Sequence, residues 1–230
     1  MSERLEFPLA QGWTKGLVLC FEDKISSLQF DWTSAANVQQ VHGKDIVECT
    51  SLQQLGEQPF ATADGIFARG EFFKSSQIKL VVKTADCMPL IMVDRQSECV
   101  VAIHAGWRGL VAGIHRVPFE KKLLDPKFTW VWCGPSLNGK NFEVGEDMWS
   151  QFLPEYTANE KFFSKHSDPA KRYFHSWNFI EHDLRLQGVD MVYNVEVDTF
   201  EGRSFASHRR SLQNGEKRLS NLSWVGFGSS

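Results

Sequence analysis

IKLVVKTADCMPLIMVDRQSECVVAIHAGWRGL, residues Ile78–Leu110, carries three apolar runs separated by short polar segments. Ile78–Val82 leads into Thr84-Ala85-Asp86-Cys87. Pro89–Val93 reads as a further buried strand closed by the polar turn Asp94–Glu98. Val100–Ile103 leads into His104-Ala105-Gly106-Trp107-Arg108-Gly109. Short, unbroken apolar runs bounded by turn residues read as strands buried on both faces. A thiol and an imidazole, each just past the end of a strand, stand where a rigid sheet presents reactive groups.

Working outward, Leu17–Phe21 reads as a strand after the turn-prone segment Gln11–Gly16. Gln39–Val47 reads as strand, tight turn at Gly43, strand, which puts His42 at a turn edge. Ser51–Phe60 is a polar loop or short helix, and Asp64-Gly65 precedes another strand-like run. On the other side, Trp107–Lys122 has the apolar spacing of a helix, which Pro118 should end or kink. Phe128–Cys133 is a buried strand stopped by Gly134-Pro135. Gly145–Leu153 and Trp177–Gln187 are expected helices, Met191–Val197 a strand and Ser204–Arg210 an edge strand. Strands outnumber helices and few connections are long enough for parallel crossovers. The expected fold is therefore α+β, with mixed β-sheets layered with helices.

A chain of 230 residues can bury one sizeable core, and no linker or repeat divides it, so residues 1–230 are expected to form one domain. The net charge of −3 makes no broad electrostatic case for nucleic acid or a membrane surface. No run approaches the ~18 consecutive apolar residues of a membrane span, and the acidic start lacks a signal-peptide core. No GxGxxG or GxxxxGK[ST] is present, which disfavours a phosphate loop. Five cysteines form no CxxC pair, so a cytoplasmic location with reduced thiols is expected.

Cys20, Cys49, Cys99 and Cys133 lie within or beside apolar runs and read as core thiols. Cys87 lies at a strand-to-loop transition between Asp86 and Pro89. His104 opens a run in which small residues flank Trp107, allowing a backbone to approach a ligand while the indole supplies a stacking face. A plainer reading exists for each: a core thiol, a strand-capping histidine, and for His42 a turn residue. Together the two imidazoles and the thiolate make a sensible zinc set, with the fourth tetrahedral position open.

QVHGKDIV, ADGIFA, TADCMPL, AIHAGWRGLVAGI and GPSL…FEVG occur in this order, and over roughly residues 38–150 they resemble the laccase-domain family. That family is also called polyphenol-oxidase-like or multicopper-oxidase-like, and its members are regarded as purine nucleoside phosphorylases. The resemblance implies a fold like that of the cytotoxic-necrotizing-factor-type cysteine hydrolases. It implies zinc, with copper also reported, bound by His42, Cys87 and His104. It implies phosphorolysis of adenosine, inosine, guanosine and methylthioadenosine, with adenosine deamination from the same pocket. The substrates are then purine nucleosides and phosphate, and the protein a monomer or homodimer.

For proton transfer the candidates are Asp64, Asp86 and Glu143, each of which could instead cap a turn. For phosphate they are Arg108, Arg209 and Arg210, because a guanidinium makes paired hydrogen bonds to oxyanions. Trp107 either faces the base or anchors the core. Phe205–Arg210 (FASHRR) resembles the family's FFSYRR segment with Ala206 and His208 at aromatic positions. Asp198 stands where a cysteine is common and Lys217 where a glycine is usual. Two alternatives stay open. One is a Cys87–His104 hydrolase or amidase; the other is a specialised relative acting on cell-wall precursors. Multicopper laccase chemistry needs more histidines than the seven present.

Overall fold

The apolar runs on either side of Cys87 lie in two different sheets. In a computed structural model, which describes residues 4–9 and 12–227, Lys79–Thr84 belongs to a five-stranded sheet. Met88–Asp94 and Cys99–Ala105 belong to a six-stranded one. The first sheet runs Arg4–Pro8, Leu17–Glu22, Asn221–Phe227, Lys79–Thr84, Ala35–Asn37, antiparallel except for its last pair. The second runs Met191–Asn194, Thr129–Cys133, Met88–Asp94, Cys99–Ala105, Gly65–Arg69, Ile46–Glu48, with parallel pairs at both edges. A three-stranded sheet, Glu143–Gly145, Lys171–Phe174, Phe163–Lys165, sits beside them. The fold is α+β, as expected.

Alternation along the strands sorts the core into layers. Leu17, Leu19, Phe21, Leu80, Val82 and Val225 of the first sheet meet Ile66, Ile91, Val93, Val100, Ala102 and Trp132 of the second. The opposite face of the second sheet (Leu90, Met92, Val101, Ile103, Val131) packs under Leu110, Ile114, Met148, Phe179, Ile180 and Leu184. Its middle strands are covered on both faces, which is why they read as continuous rather than alternating apolar runs. Many phenylalanines fill the helical side, where Phe152, Phe163, Phe174 and Phe179 contact one another edge-on, tilted or stacked.

Several expected elements change form. The Trp107–Lys122 helix breaks into Trp107–Val111 and Val117–Glu120, because Gly113 takes φ +81° between them and Pro118 sits at the start of the second piece. Gly145–Leu153 keeps only Glu146–Trp149 as helix, with Glu143–Gly145 taken by the small sheet. The helix at Ser176–Leu186 matches its expected span within a residue, whereas the strand from Met191 stops at Asn194. Ser204–Arg210 is not an edge strand. It is a loop followed by the helix His208–Asn214, whose first turn is capped by the Ser207 hydroxyl accepting from Arg210 N. Around His42 there is no hairpin: Ala35–Asn37 and Ile46–Glu48 lie in different sheets. The turn between them has its positive φ, 61°, at His42 rather than at Gly43. Gln11, the first residue of the expected N-terminal turn, lies outside the described residues.

Candidate metal centre and cavity

Two of the three proposed ligands sit on segments that cross from one sheet to the other. Residues 38–45 carry His42 across, and residues 85–87 carry Cys87. His104 is the next-to-last residue of Cys99–Ala105, paired with Pro89, so it is inside its strand rather than past it. The three meet at one end of the sandwich, where an imidazole nitrogen from each histidine and the Cys87 sulfur all lie within 4.8 Å of one another. The two rings are 4.8 Å apart and nearly perpendicular.

This donor set fits a zinc ion. Bond lengths of about 2.0–2.3 Å place tetrahedral ligand atoms roughly 3.5 Å apart, inside the 4.8 Å that bounds the separations here. The close approach depends on Gly106, where a Cβ would stand 2.9 Å from His42 Cδ2 and 3.2 Å from Cys87 Sγ. His42 is exposed, Cys87 half-buried and His104 buried, so solvent reaches the cluster at the His42 end.

Backbone strain accompanies two of the ligands. His42 is itself at positive φ, and Asp86, directly before Cys87, has φ 85°. Both departures are held by carboxylates. The Asp64 side chain accepts from Val41 N (3.2 Å), His42 N (2.8 Å), Gly43 N (2.7 Å) and His104 Nδ1 (2.8 Å). The Asp86 side chain accepts from Thr199 Oγ1 (2.7 Å) and from Arg209 N (2.7 Å), while its carbonyl accepts from Leu137 N (2.9 Å).

Electrostatics single out one thiol. Burial pushes Cys20 and Cys99 up to about 12, and it raises Cys49 and Cys133 as well. Burial also opposes ionisation of Cys87, but hydrogen bonds from His104 and His42 outweigh it and bring this thiol down to about 7. Burial works against the His104 cation too, and Asp64 with Cys87 overcomes it, raising His104 to about 9. For Asp64 the desolvation penalty is overcome by His104 and the three turn amides, leaving the carboxyl below its ordinary value.

The cluster opens into a cavity of about 1110 Å³. Trp107, Arg108, Glu143, Arg209 and Asp86 all line it. The Arg108 guanidinium lies 4.2 Å from the Trp107 ring centroid, and Trp107 packs against the helical-side core. Arg209 is braced by Asn141 O (2.9 Å) and Glu143 O (2.7 Å). Arg210 is elsewhere: its buried guanidinium donates to Thr199 O, Phe200 O and Phe205 O, and it faces a separate, smaller hollow. The Glu143 carboxylate pairs with Lys171 (2.8 Å) and His166 (2.9 Å), neither of which lines the cavity. Asp64, fully buried, does not line the cavity. Sequence reading missed Phe142, His208 and Leu212, which complete the wall. His208 lies in the segment expected as a strand and Leu212 two residues beyond it, and Phe142 opens the FEVG block without having been assigned a role.

Residues 21–224 match the family described as multi-copper polyphenol oxidoreductase laccase, and the chain belongs to that family. Among its relatives is the purine nucleoside phosphorylase YfiH of Escherichia coli (strain K12), 28% identical over 189 residues that cover 82% of this chain and 72% of that protein. A purine nucleoside phosphorylase of Pseudomonas aeruginosa is 28% identical over 82% of this chain and 73% of its own length. The fold matches a Neisseria meningitidis protein with a TM-score of 0.77 at 20% identity, covering 99% of both chains. It also matches YlmD of Geobacillus stearothermophilus, with a TM-score of 0.75 at 20% identity over 93% of each.

Proposed function

We propose that this chain is a zinc-dependent purine nucleoside phosphorylase, with adenosine, inosine, guanosine and methylthioadenosine as substrates. The observation that carries the reading is the His42/Cys87/His104 cluster lining a cavity that Arg108 and Arg209 also line, in a chain whose relatives bear that name. His42, Cys87 and His104 would hold the metal, which would supply a Lewis acid at the cavity. Trp107 and Phe142 offer flat apolar faces for the purine. Arg209, braced by two carbonyls and making no salt bridge among the described residues, holds inorganic phosphate together with Arg108. In phosphorolysis a phosphate oxygen forms a bond to C1′ as the C1′–N9 bond breaks. The bonding pair leaves with the purine, which takes up a proton, and ribose 1-phosphate is released. Glu143, held ionised chiefly by Lys171, acts as hydrogen-bond acceptor for substrate hydroxyls. Adenosine deamination from the same cavity adds water at C6 and expels ammonia.

The test is zinc content of protein purified without added metal, for wild type and Cys87→Ala, with adenosine turnover measured with and without phosphate. Near-stoichiometric zinc lost in the variant, with phosphate-dependent release of adenine, supports the phosphorylase. Release of inosine without phosphate supports only the deaminase. A second reading rests on the low Cys87 thiol with His104 and Asp64 lined up behind it, the order of a cysteine hydrolase triad. Metal-free wild type whose Cys87 is alkylated far faster than its other thiols would favour that reading.

A further inference from the structure

Asp64 is fully buried, and its carboxylate has four donors directed at it, which is the full acceptor capacity of two oxygens. It is therefore unable to carry protons to a substrate in the cavity, which it does not line. Its donors come from two separate places in the chain. Three are successive main-chain amides of the turn that bears His42; the fourth is the ring of His104, from the adjacent strand. The main chain repeats the connection, with His104 N donating to Asp64 O at 2.7 Å and Asp64 N to Asp45 O at 2.9 Å.

We infer that Asp64 is a positioning residue that assembles two of the metal ligands as one unit, and this rests on the metal-centre reading above. Three amides converging on one carboxylate stabilise a turn that puts a non-glycine residue, His42, at φ 61°, a conformation it adopts at a cost of order 1 kcal/mol when left alone. The bond from His104 Nδ1 fixes the proton on that nitrogen and leaves Nε2 as the free donor atom toward Cys87 and His42. One side chain thus decides both where the His42 ring stands and which nitrogen His104 presents. Oδ1 takes His42 N and His104 Nδ1, and Oδ2 takes Val41 N and Gly43 N, so asparagine, with nearly the same shape but one acceptor oxygen, keeps one of these pairs and turns its amide donors on the other.

Asp64→Asn and Asp64→Glu, with wild type, are titrated with zinc against a chelator of known affinity, and the histidine ring nitrogens are followed by 15N NMR. The expected result is an affinity loss of about 10–100-fold for Asp64→Asn, the range for removing a ligand's supporting partner. In metal-free protein at alkaline pH, His104 is expected as the Nδ1–H tautomer in wild type and as a mixture or the Nε2–H tautomer in Asp64→Asn. Asp64→Glu should recover the tautomer in part. Unchanged zinc affinity with an unchanged tautomer in Asp64→Asn overturns the inference and leaves the metal centre standing. Wild type that binds no zinc yet shows the tautomer change overturns the metal centre and leaves the positioning role. Should neither variant fold, wild-type His104 alone decides: protonation at Nε2 overturns the inference.

Discussion

Two fully buried aspartates each hold a histidine in this molecule, and the two pairs serve different ends. Asp64 bonds His104 at 2.8 Å, and Asp183 bonds His115 at 2.6 Å. Around Asp183 the remaining acceptor capacity is taken by Arg116 Nε (2.7 Å), by the Arg116 terminal amine and by the Tyr156 hydroxyl (2.7 Å). That cluster ties the segment after Gly113 to the helix Ser176–Leu186, and the far nitrogen of His115 ends against apolar packing, without a partner among the described residues. The far nitrogen of His104 faces a thiolate, a second imidazole and a cavity. An acid–imidazole pair is thus common to a structural clamp and to the candidate metal centre. What separates them is what stands beyond the ring.

The largest effect expected is at the open pair. Cys87→Ala removes one of the three proposed ligands and should lower zinc affinity by more than the roughly 100-fold that follows from losing a mere supporting partner. The melting temperature of the metal-free protein should barely move, because Cys87 is half-buried at a crossover rather than in the core. Chelator competition and calorimetry on the same samples check both halves.

The closed pair should respond in the opposite way. Asp183→Ala strands a buried imidazole and a half-buried guanidinium, at a cost of about 3 kcal/mol, or on the order of 10 °C in melting temperature for a chain this long. Zinc affinity should hold. The pH dependence has a definite sign. Burial opposes ionisation of Asp183, but the bonds from His115, Arg116 and Tyr156 outweigh it and hold its carboxyl well below the ordinary range. Its stabilisation is present above about pH 4, the unfolded carboxylate value, and fades as pH falls toward the folded one. The stability gap between wild type and Asp183→Ala should therefore narrow between about pH 5 and pH 2 in denaturant titrations.

The same contrast explains what could be read from sequence. The strands flanking Cys87 and His104 were legible because unbroken apolar runs of that length have few other fates, and the short residues of HAGW announced a close approach that Gly106 makes. The expected ligands are found together in space, but only the family resemblance singled them out beforehand. The role of Asp64 was not legible, since its partners are main-chain amides some twenty residues away and a ring forty residues away. The helix at His208–Asn214 failed for a related reason. Its sequence, with Leu212 as the one aliphatic side chain, shows no apolar period, and the deciding contacts, the Ser207 cap and Arg210 reaching three carbonyls, exist only once the chain is folded.

Two adjacent arginines give a smaller test of the same distinction between open and closed. Arg209→Lys should raise KM for phosphate by about 10-fold or more, since a lysine cannot both keep the two carbonyl bonds and offer a paired face to an oxyanion. Arg210→Lys should leave that KM alone and cost about 1–3 kcal/mol of stability, because its guanidinium is buried among carbonyls. Steady-state kinetics in varied phosphate, beside thermal melts, separates them. An equal KM change in both would break the division.

The smallest effect separates crowding of the ligands from crowding of the backbone. At Gly106 a methyl group would press on His42 Cδ2, the edge of an exposed ring that can swing aside. At Gly109 it would stand 2.9 Å from Gly43 O, a main-chain atom of the turn that Asp64 holds. Gly106→Ala should therefore weaken zinc binding only several-fold, corresponding to roughly 1 kcal/mol of displaced side chain, with the metal-free melting temperature unchanged. Gly109→Ala has to move the turn itself, so zinc affinity and melting temperature should fall together. If Gly106→Ala instead lowers the melting temperature as much as Gly109→Ala, then the His42 ring is part of the packing rather than a ligand free to adjust.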